Sequence, residues 1–227
     1  MWSNLDKIDN QKGDFMLKGA IFDMDGLMFD TERIYRDTWV RLAGMYGVLH
    51  NPEFPKAVCG TSGDHMVEVI HTYYPTVDAA AFRDDCLRIV DETIQKEVPI
   101  KKGLFEILDG MKEHGVKMAV ASSSQPGLIR RNLRNAGVEE YFDAVVSGVE
   151  VENGKPAPDI FLYAAEKIGI DPADCYVFED GLNGIKAGAA AGCRVIMIPD
   201  LTEPTDEIRA LCNGIYEDLG AAMRALR

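Results

Sequence analysis

The segment Gly19-Ala20-Ile21-Phe22-Asp23-Met24-Asp25-Gly26 joins a short apolar run to two aspartates and a glycine. A short apolar run that ends in turn-forming residues is typical of a strand buried inside a parallel sheet. Ligands of open α/β sheets bind beyond the carboxyl ends of the strands. The two carboxylates therefore stand where such a sheet would hold a ligand.

Four more apolar runs follow, and helical patterns separate them, which is typical of a parallel sheet with helices on both faces. Prolines near helix starts and glycines just past helix ends support this assignment. We therefore predict an α/β fold with a doubly wound parallel sheet. The predicted strands are Gly19–Asp23, Val116–Ser122, Ala144–Ser147, Cys175–Glu179 and Arg194–Ile198, and the predicted helices are Leu104–Glu113, Gln125–Ala136, Pro158–Ile168 and Leu182–Ala191.

The connection after the first strand is much longer than the dozen or so residues that a simple crossover needs. It contains helical patterns at Thr31–Met45, Gly63–Tyr73 and Ala79–Glu97 and no convincing strand. We predict that residues 32–99 form an inserted all-helical cap domain. The core domain would then comprise residues 16–31 and 100–227, and residues 1–15 would form a flexible leader.

Composition and charge disfavour several classes of protein. The net charge of −13 would repel nucleic acid and anionic membranes. No apolar run approaches the roughly 20 residues of a membrane helix, and no signal-peptide pattern opens the chain. The five cysteines include no CxxC pair, which fits reduced thiols. We expect a cytoplasmic protein, a monomer or weak dimer, with no nucleic-acid or membrane partner.

Polar residues also follow the later predicted strands. Ser122 ends the second strand and Lys155 follows the third, while Glu179 and Asp180 end the fourth. Because the strands are predicted to be parallel, these side chains should meet the two aspartates of the opening segment. Carboxylates from two strands form the hard oxygen site that Mg²⁺ prefers, and Mg²⁺ also binds substrate phosphates.

These residue types suit phosphoryl transfer. Asp23 can attack phosphorus to form an aspartyl-phosphate. Asp25 can protonate the leaving oxygen and then deprotonate water. Ser122 and Lys155 can stabilise the charge on the transferring group.

Four segments, in order, resemble the four motifs of the haloacid dehalogenase-like (HAD) superfamily. The resemblance covers about residues 17–200. The helical insertion after the first motif is similar to the cap of the β-phosphoglucomutase-like subfamily. The four segments are Asp23-Met24-Asp25-Gly26-Leu27-Met28-Phe29-Asp30-Thr31-Glu32, Val120-Ala121-Ser122-Ser123-Ser124, Gly154-Lys155-Pro156-Ala157-Pro158-Asp159 and Phe178-Glu179-Asp180-Gly181.

The resemblance implies a role for each matching residue. Asp23 would be the nucleophile, and Asp25 the general acid and base. Ser122 would hold a phosphoryl oxygen, and Lys155 would pair with both nucleophile and phosphate. The implied Mg²⁺ ligands are Asp23, the main-chain carbonyl of Asp25, Asp180, and Glu179 either directly or through a water.

Several activities fit this family. Dehalogenation is disfavoured, because dehalogenases of the family lack an acid at the position of Asp25. β-Phosphoglucomutase-type mutases carry a histidine where this chain has Tyr35, and a lysine and an arginine where it has Cys59 and Gly63. We therefore favour hydrolysis of a small phosphate monoester, such as a sugar phosphate. A sugar-phosphate mutase is the alternative, and a non-catalytic phosphate-binding or interaction domain is a further one.

The cap loop is the expected surface for substrate recognition. Its small polar residues suit a small phosphorylated metabolite with hydroxyl groups. The expected substrate-contacting residues are Lys56, Gly60, Thr61 and Ser62 from this loop region, and Ser123 from the core.

Overall fold

The computed structural model describes residues 17–58, 61, 63–200 and 202–226, with the side chain of Glu32 excepted. The leader predicted for residues 1–15 lies outside this part of the chain. Two compact units make up the fold. One comprises the described residues up to Asp30 and from Pro99 onward, and the other comprises those within Thr31–Val98.

The first unit is built on a six-stranded sheet. Its strands are β1 (Gly19–Phe22), β2 (Lys117–Ser122), β3 (Ala144–Ser147), β4 (Cys175–Glu179), β5 (Arg194–Met197) and β6 (Gly214–Ile215). All neighbouring pairs are parallel, in the order β3-β2-β1-β4-β5-β6. The predicted parallel sheet is confirmed. The chain winds outward in one direction from β1 and in the other from β4, so these two strands flank the switch point at which such sheets bind ligands.

The second unit contains helices only, among the residues described. An aromatic cluster fills its interior, with Trp39 stacked on Phe82 at a centroid distance of 5.8 Å and packed edge-on against Phe54 at 5.2 Å. Large aromatic rings bury much apolar area, which is how a short helical segment can form its own core. The helices are α1 (Thr31–Met45), α2 (Phe54–Val58), α3 (Gly63–Tyr73) and α4 (Ala79–Lys96).

Helices also cover the sheet of the first unit. They are α5 (Leu104–Glu113), α6 (Pro126–Asn135), α7 (Asp159–Ile168), α8 (Leu182–Ala190), α9 (Asp206–Leu211) and α10 (Leu219–Leu226). Three single turns of 3-10 helix lie at Glu139–Tyr141, Gly148–Glu150 and Pro172–Asp174. None of the helices in the described ranges is both long and apolar enough to cross a membrane.

The core of the sheet unit explains why the central strands are apolar throughout. Every residue of β1 and β4 is buried. On one face, Phe22 stacks on Phe178 with ring centroids 4.7 Å apart. On the other, Ile21 and Val177 pack in a cluster that includes Phe161 of α7. Strands covered on both faces are apolar on both faces, and this burial determines the register of the polar residues at their ends.

Candidate active site

The register of the sheet places the ends of three strands side by side. Phe22 of β1 pairs with Val120 of β2 on one side and with Phe178 of β4 on the other. The main-chain N–H of Asp23 donates to the carbonyl of Phe178 at 3.0 Å. Asp23 therefore continues directly from the sheet, beside Glu179, at its carboxyl edge.

Lys155 occupies the centre of the site. Its Nζ donates to Asp23 Oδ1 at 2.5 Å, to Glu179 Oε1 at 2.8 Å and to the carbonyl of Ala121 at 3.2 Å. It also lies 4.9 Å from the ring centroid of Phe161. The side chain is only 8% exposed, and a buried charge needs a partner of opposite charge. The carboxylates of Asp23 and Glu179 are these partners.

Three carboxylates form a compact acidic group. Asp23, Glu179 and Asp180 each offer an oxygen, and these oxygens lie within 4.8 Å of one another. Glu179 Oε2 also accepts the N–H of Gly181 at 2.7 Å. A set of carboxylate oxygens with one neighbouring lysine retains excess negative charge in a buried place, and a divalent cation would neutralise it. The donor set therefore fits Mg²⁺, which binds carboxylates and phosphate oxygens.

Burial and charge act on Asp23 in opposite directions. The net effect raises its pKa to about 7: burial is the largest influence and raises the pKa, the charge of Lys155 lowers it, and the charge of Glu179 raises it. For Lys155, burial lowers the pKa, but the charges of Asp23 and Glu179 outweigh it and hold the pKa above its ordinary value. Lys155 therefore remains a cation, and it favours the ionised form of the aspartate beside it.

Asp180 lies in the same negative field. Burial raises its pKa well above the ordinary range, and the charges of Glu179, Asp23 and Asp200 raise it further. Four carboxylates thus influence one another at this edge of the sheet. Repulsion of this kind is relieved by a neighbouring positive charge.

Asp25 is held by serines from β2 and the loop after it. Its Oδ2 accepts from Ser124 Oγ at 2.9 Å and from Ser122 Oγ at 3.4 Å. Ser122 Oγ in turn accepts the N–H of Ser124 at 3.1 Å. The fully buried Ser147 at the end of β3 donates to the carbonyl of Ser124 at 2.5 Å. Serines from β2, from the loop after it and from β3 thus position the carboxylate of Asp25, which follows β1.

Two glycines make room for the carboxylates. Gly26 has φ 86°, which favours glycine, and a Cβ there would overlap the Asp180 carboxylate. A Cβ at Gly184 in α8 would overlap the Glu179 carboxylate. These roles are not predictable from the sequence, because the crowding arises between residues on different elements.

The predicted residues of the core come together, whereas the predicted substrate residues are spread over both units. Ser123 is exposed, directly after β2. Lys56 lies on α2, and Thr61 Oγ1 donates to the carbonyl of Val58 at 2.6 Å. Gly60 and Ser62 lie outside the described residues, so their predicted role stays a prediction.

Ser124 and Asp200 were missed by the sequence analysis. No individual role in the site was predicted for Ser124, and its hydroxyl donates to Asp25. Asp200 lies just beyond β5, and its charge acts on Asp180. Its place after the fifth strand is the signal that could have predicted it, because ligands bind beyond strand ends.

Comparison with known proteins agrees with this geometry. Residues 20–198 match the profile of the family described as haloacid dehalogenase-like hydrolase. A fructose-1-phosphate phosphatase of Escherichia coli is 34% identical over 177 residues, covering 77% of this chain and 92% of the relative. A phosphorylated carbohydrates phosphatase of Thermotoga maritima is 30% identical over 181 residues, covering 78% and 82%.

Solved structures show the same fold. The crystal structure of a HAD family hydrolase from Deinococcus radiodurans, with bound phosphate and sodium, superposes with a TM-score of 0.77 at 26% identity. The match covers 93% of this chain and 95% of that one. The family profile, the two relatives and the solved structure each match most of this chain. The chain therefore belongs to the haloacid dehalogenase-like hydrolase family and is an enzyme of that family's phosphatase type.

Proposed function

We propose that this enzyme hydrolyses a small phosphate monoester, a sugar phosphate in particular, through an aspartyl-phosphate on Asp23. One observation carries the proposal. The Lys155 ammonium bridges Asp23 and Glu179 beside Asp180, while Asp25, two residues along the chain, is held separately by Ser122 and Ser124. The arrangement gives the two aspartates different surroundings, as a nucleophile and a general acid require.

In the first step, a carboxylate oxygen of Asp23 attacks phosphorus and the bond to the leaving oxygen breaks. Asp25 gives its proton to that oxygen. In the second step, Asp25 takes a proton from water as the water oxygen attacks phosphorus, and the bond to Asp23 breaks to release phosphate. Lys155 and Ser122 offer donors to the phosphoryl oxygens throughout, where negative charge is greatest.

The proposal includes a Mg²⁺ site. Asp23, the main-chain carbonyl of Asp25, Asp180 and Glu179 would hold the ion. When bound, Mg²⁺ would neutralise charge on the phosphoryl group and on the crowded carboxylates. Glu179 already accepts from Lys155 and from Gly181, which favours a contact through water for this residue.

We also propose that the helical insertion is a cap domain. We assign residues 32–99 to this cap domain and residues 16–31 and 100–227 to the core domain. The cap loop, with Lys56, Gly60, Thr61 and Ser62, would read the substrate together with Ser123. The relatives named for fructose 1-phosphate and for phosphorylated carbohydrates support a sugar phosphate as the substrate class.

Location and assembly complete the proposal. The cysteines in the described ranges, Cys86, Cys175, Cys193 and Cys212, are not paired in disulfides. Reduced thiols agree with the proposed cytoplasmic location. We propose a monomer or weak dimer whose partner is the small phosphorylated substrate.

The test is a phosphate-release screen with Mg²⁺ over sugar phosphates and nucleotides, with β-glucose 1-phosphate among them. We expect free phosphate from one or two sugar phosphates, and none after EDTA treatment. Conversion of glucose 1-phosphate to glucose 6-phosphate with little free phosphate would establish the mutase instead. An absence of any turnover, with phosphate still bound, would favour the non-catalytic alternative.

A further inference from the structure

Asp200 lies at the edge of the sheet that carries the acidic group. Ile198, two residues earlier, donates its N–H to the carbonyl of Glu179 at 2.8 Å. Strand β5 pairs with β4 so that Met197 stands opposite Glu179. Asp200 thus follows directly after the strand that neighbours the acidic group, and its charge is felt by Asp180.

The two oxygens of Asp200 have different surroundings. Oδ1 accepts from Lys101 Nζ at 2.6 Å, and that ammonium also lies 3.7 Å from Asp30 Oδ1. Oδ2 is buried and has no hydrogen-bond partner among the described residues. A buried carboxylate oxygen without a donor is unfavourable, so some donor is expected to complete it.

No described residue donates a hydrogen bond to that oxygen. Glu179 and Asp180 carry carboxylates, which accept hydrogen bonds when ionised. Lys155 donates instead to Asp23, to Glu179 and to the carbonyl of Ala121. A water bound to a divalent cation is a strong donor, and Mg²⁺ keeps several of its waters when it binds to proteins.

We propose that Asp200 is a positioning residue for the cation: Oδ2 accepts a hydrogen bond from a cation-bound water, while Oδ1 is paired with Lys101. The inference rests on the proposed function, because it assumes that Asp23 and Asp180 hold Mg²⁺. Carboxylates that orient the ligands of a metal commonly change metal affinity when they are lost.

The experiment measures Mg²⁺ affinity by calorimetric titration with MgCl₂ alone, and by the Mg²⁺-dependent rise of the melting temperature, in about 0.15 M salt. Asp200→Asn keeps the shape of the side chain and removes its charge. We expect the Kd for Mg²⁺ to rise about tenfold or more. Affinity within about twofold of the wild type would overturn the proposal.

Lys101→Met provides a test of opposite sign. It removes a positive charge near the cation and leaves the Asp200 carboxylate in place, so we expect Mg²⁺ to bind several-fold more tightly. If the ion pair were only a structural brace, both substitutions would weaken Mg²⁺ binding alike. Weaker Mg²⁺ binding in Lys101→Met therefore overturns the proposal. This result can be obtained even if Asp200→Asn fails to fold.

Asp174→Asn is the matched control. Asp174 also pairs with a lysine, Lys18, at 2.7 Å, but it precedes β4 and so lies at the opposite edge of the sheet. We expect its Kd for Mg²⁺ to stay within about twofold of the wild type in 0.15 M salt, because a distant exposed charge is screened. Absence of Mg²⁺ binding in the wild type would instead contradict the metal site in the proposed function.

Discussion

Asp23 is the residue on which the proposed chemistry depends most directly. We predict that Asp23→Asn folds, because an amide has the same shape and Lys155 keeps Glu179 as its partner. Turnover should fall by at least about a thousandfold, since the amide is a poor nucleophile and residues acting as a unit fail together. Steady-state phosphate release with Mg²⁺ measures this loss, and circular dichroism confirms the fold.

The control for this substitution is Asp174→Asn, which removes the same charge at the other edge of the sheet. It should retain wild-type turnover. Near-normal activity in Asp23→Asn would show that Asp23 is not the nucleophile.

We expect Ser124 to affect the proton transfers proposed for Asp25, because its hydroxyl donates to Asp25 Oδ2 at 2.9 Å. We predict that Ser124→Ala lowers kcat/KM for a sugar phosphate about tenfold, which corresponds to one lost hydrogen bond to a charged group. The loss for p-nitrophenyl phosphate should be smaller, because nitrophenolate leaves without needing a proton. Ser124→Thr keeps the hydroxyl and should restore most of the activity. Equal losses for both substrates would indicate that Ser124 only stabilises the local fold.

At the scale of a helix, α8 shows how packing outweighs intrinsic preference. Alanine is normally favoured over glycine inside helices by up to about 1 kcal/mol. At Gly184 the added methyl group would overlap the Glu179 carboxylate. We predict that Gly184→Ala displaces Glu179 and weakens Mg²⁺ binding about tenfold, as measured by calorimetric titration.

Gly127→Ala on α6 is the comparison for Gly184→Ala. A Cβ at Gly127 meets no atom within 4 Å, so this variant should bind Mg²⁺ as the wild type does. It should also be stabilised by up to about 1 kcal/mol. If Gly184→Ala behaved in the same way, the contact with Glu179 would not determine the site.

Helix α6 also contains a buried amide that tests the core. Asn132 is 1% exposed, and neither Nδ2 nor Oδ1 has a hydrogen-bond partner among the described residues. We predict that Asn132→Leu raises the free energy of unfolding by about 1 kcal/mol, because burial of an unpaired amide is unfavourable. Urea denaturation measures the change. Asn132→Asp should be strongly destabilising, and a destabilised leucine variant would reveal a bound water at this amide.

At the scale of the whole molecule, we expect the acidic group to make stability depend on a bound cation. Burial and mutual repulsion disfavour the ionised carboxylates of Asp23 and Asp180. A cation that binds only the folded state stabilises it by about 2.7 kcal/mol at a hundred times its Kd. We predict that saturating Mg²⁺ raises the melting temperature of the sheet unit by roughly 5–10 °C relative to EDTA. Equal melting temperatures at matched ionic strength would contradict a metal site.

The elements themselves were largely predictable. Buried strands appear as unbroken apolar runs and helices repeat their apolar residues every three to four positions, and both signals are local. The two-residue strand β6, the short helices α2 and α9 and the eight-residue C-terminal helix α10 were not predicted. Segments this short contain too few residues to establish a period, and pairing with β5 is what makes β6 a strand.

For the whole protein, the sequence by itself determined the parallel sheet and the family. It also indicated that Asp23, Asp25, Ser122, Lys155, Glu179 and Asp180 would meet at one sheet edge. Parallel strands bring their carboxyl ends together whatever the details of packing. Only the tertiary structure decided that Ser124 holds Asp25, that Gly184 faces Glu179 and that Lys101 pairs with Asp200. These contacts depend on distances of a few ångströms between remote parts of the chain, which a pattern of residue types does not specify.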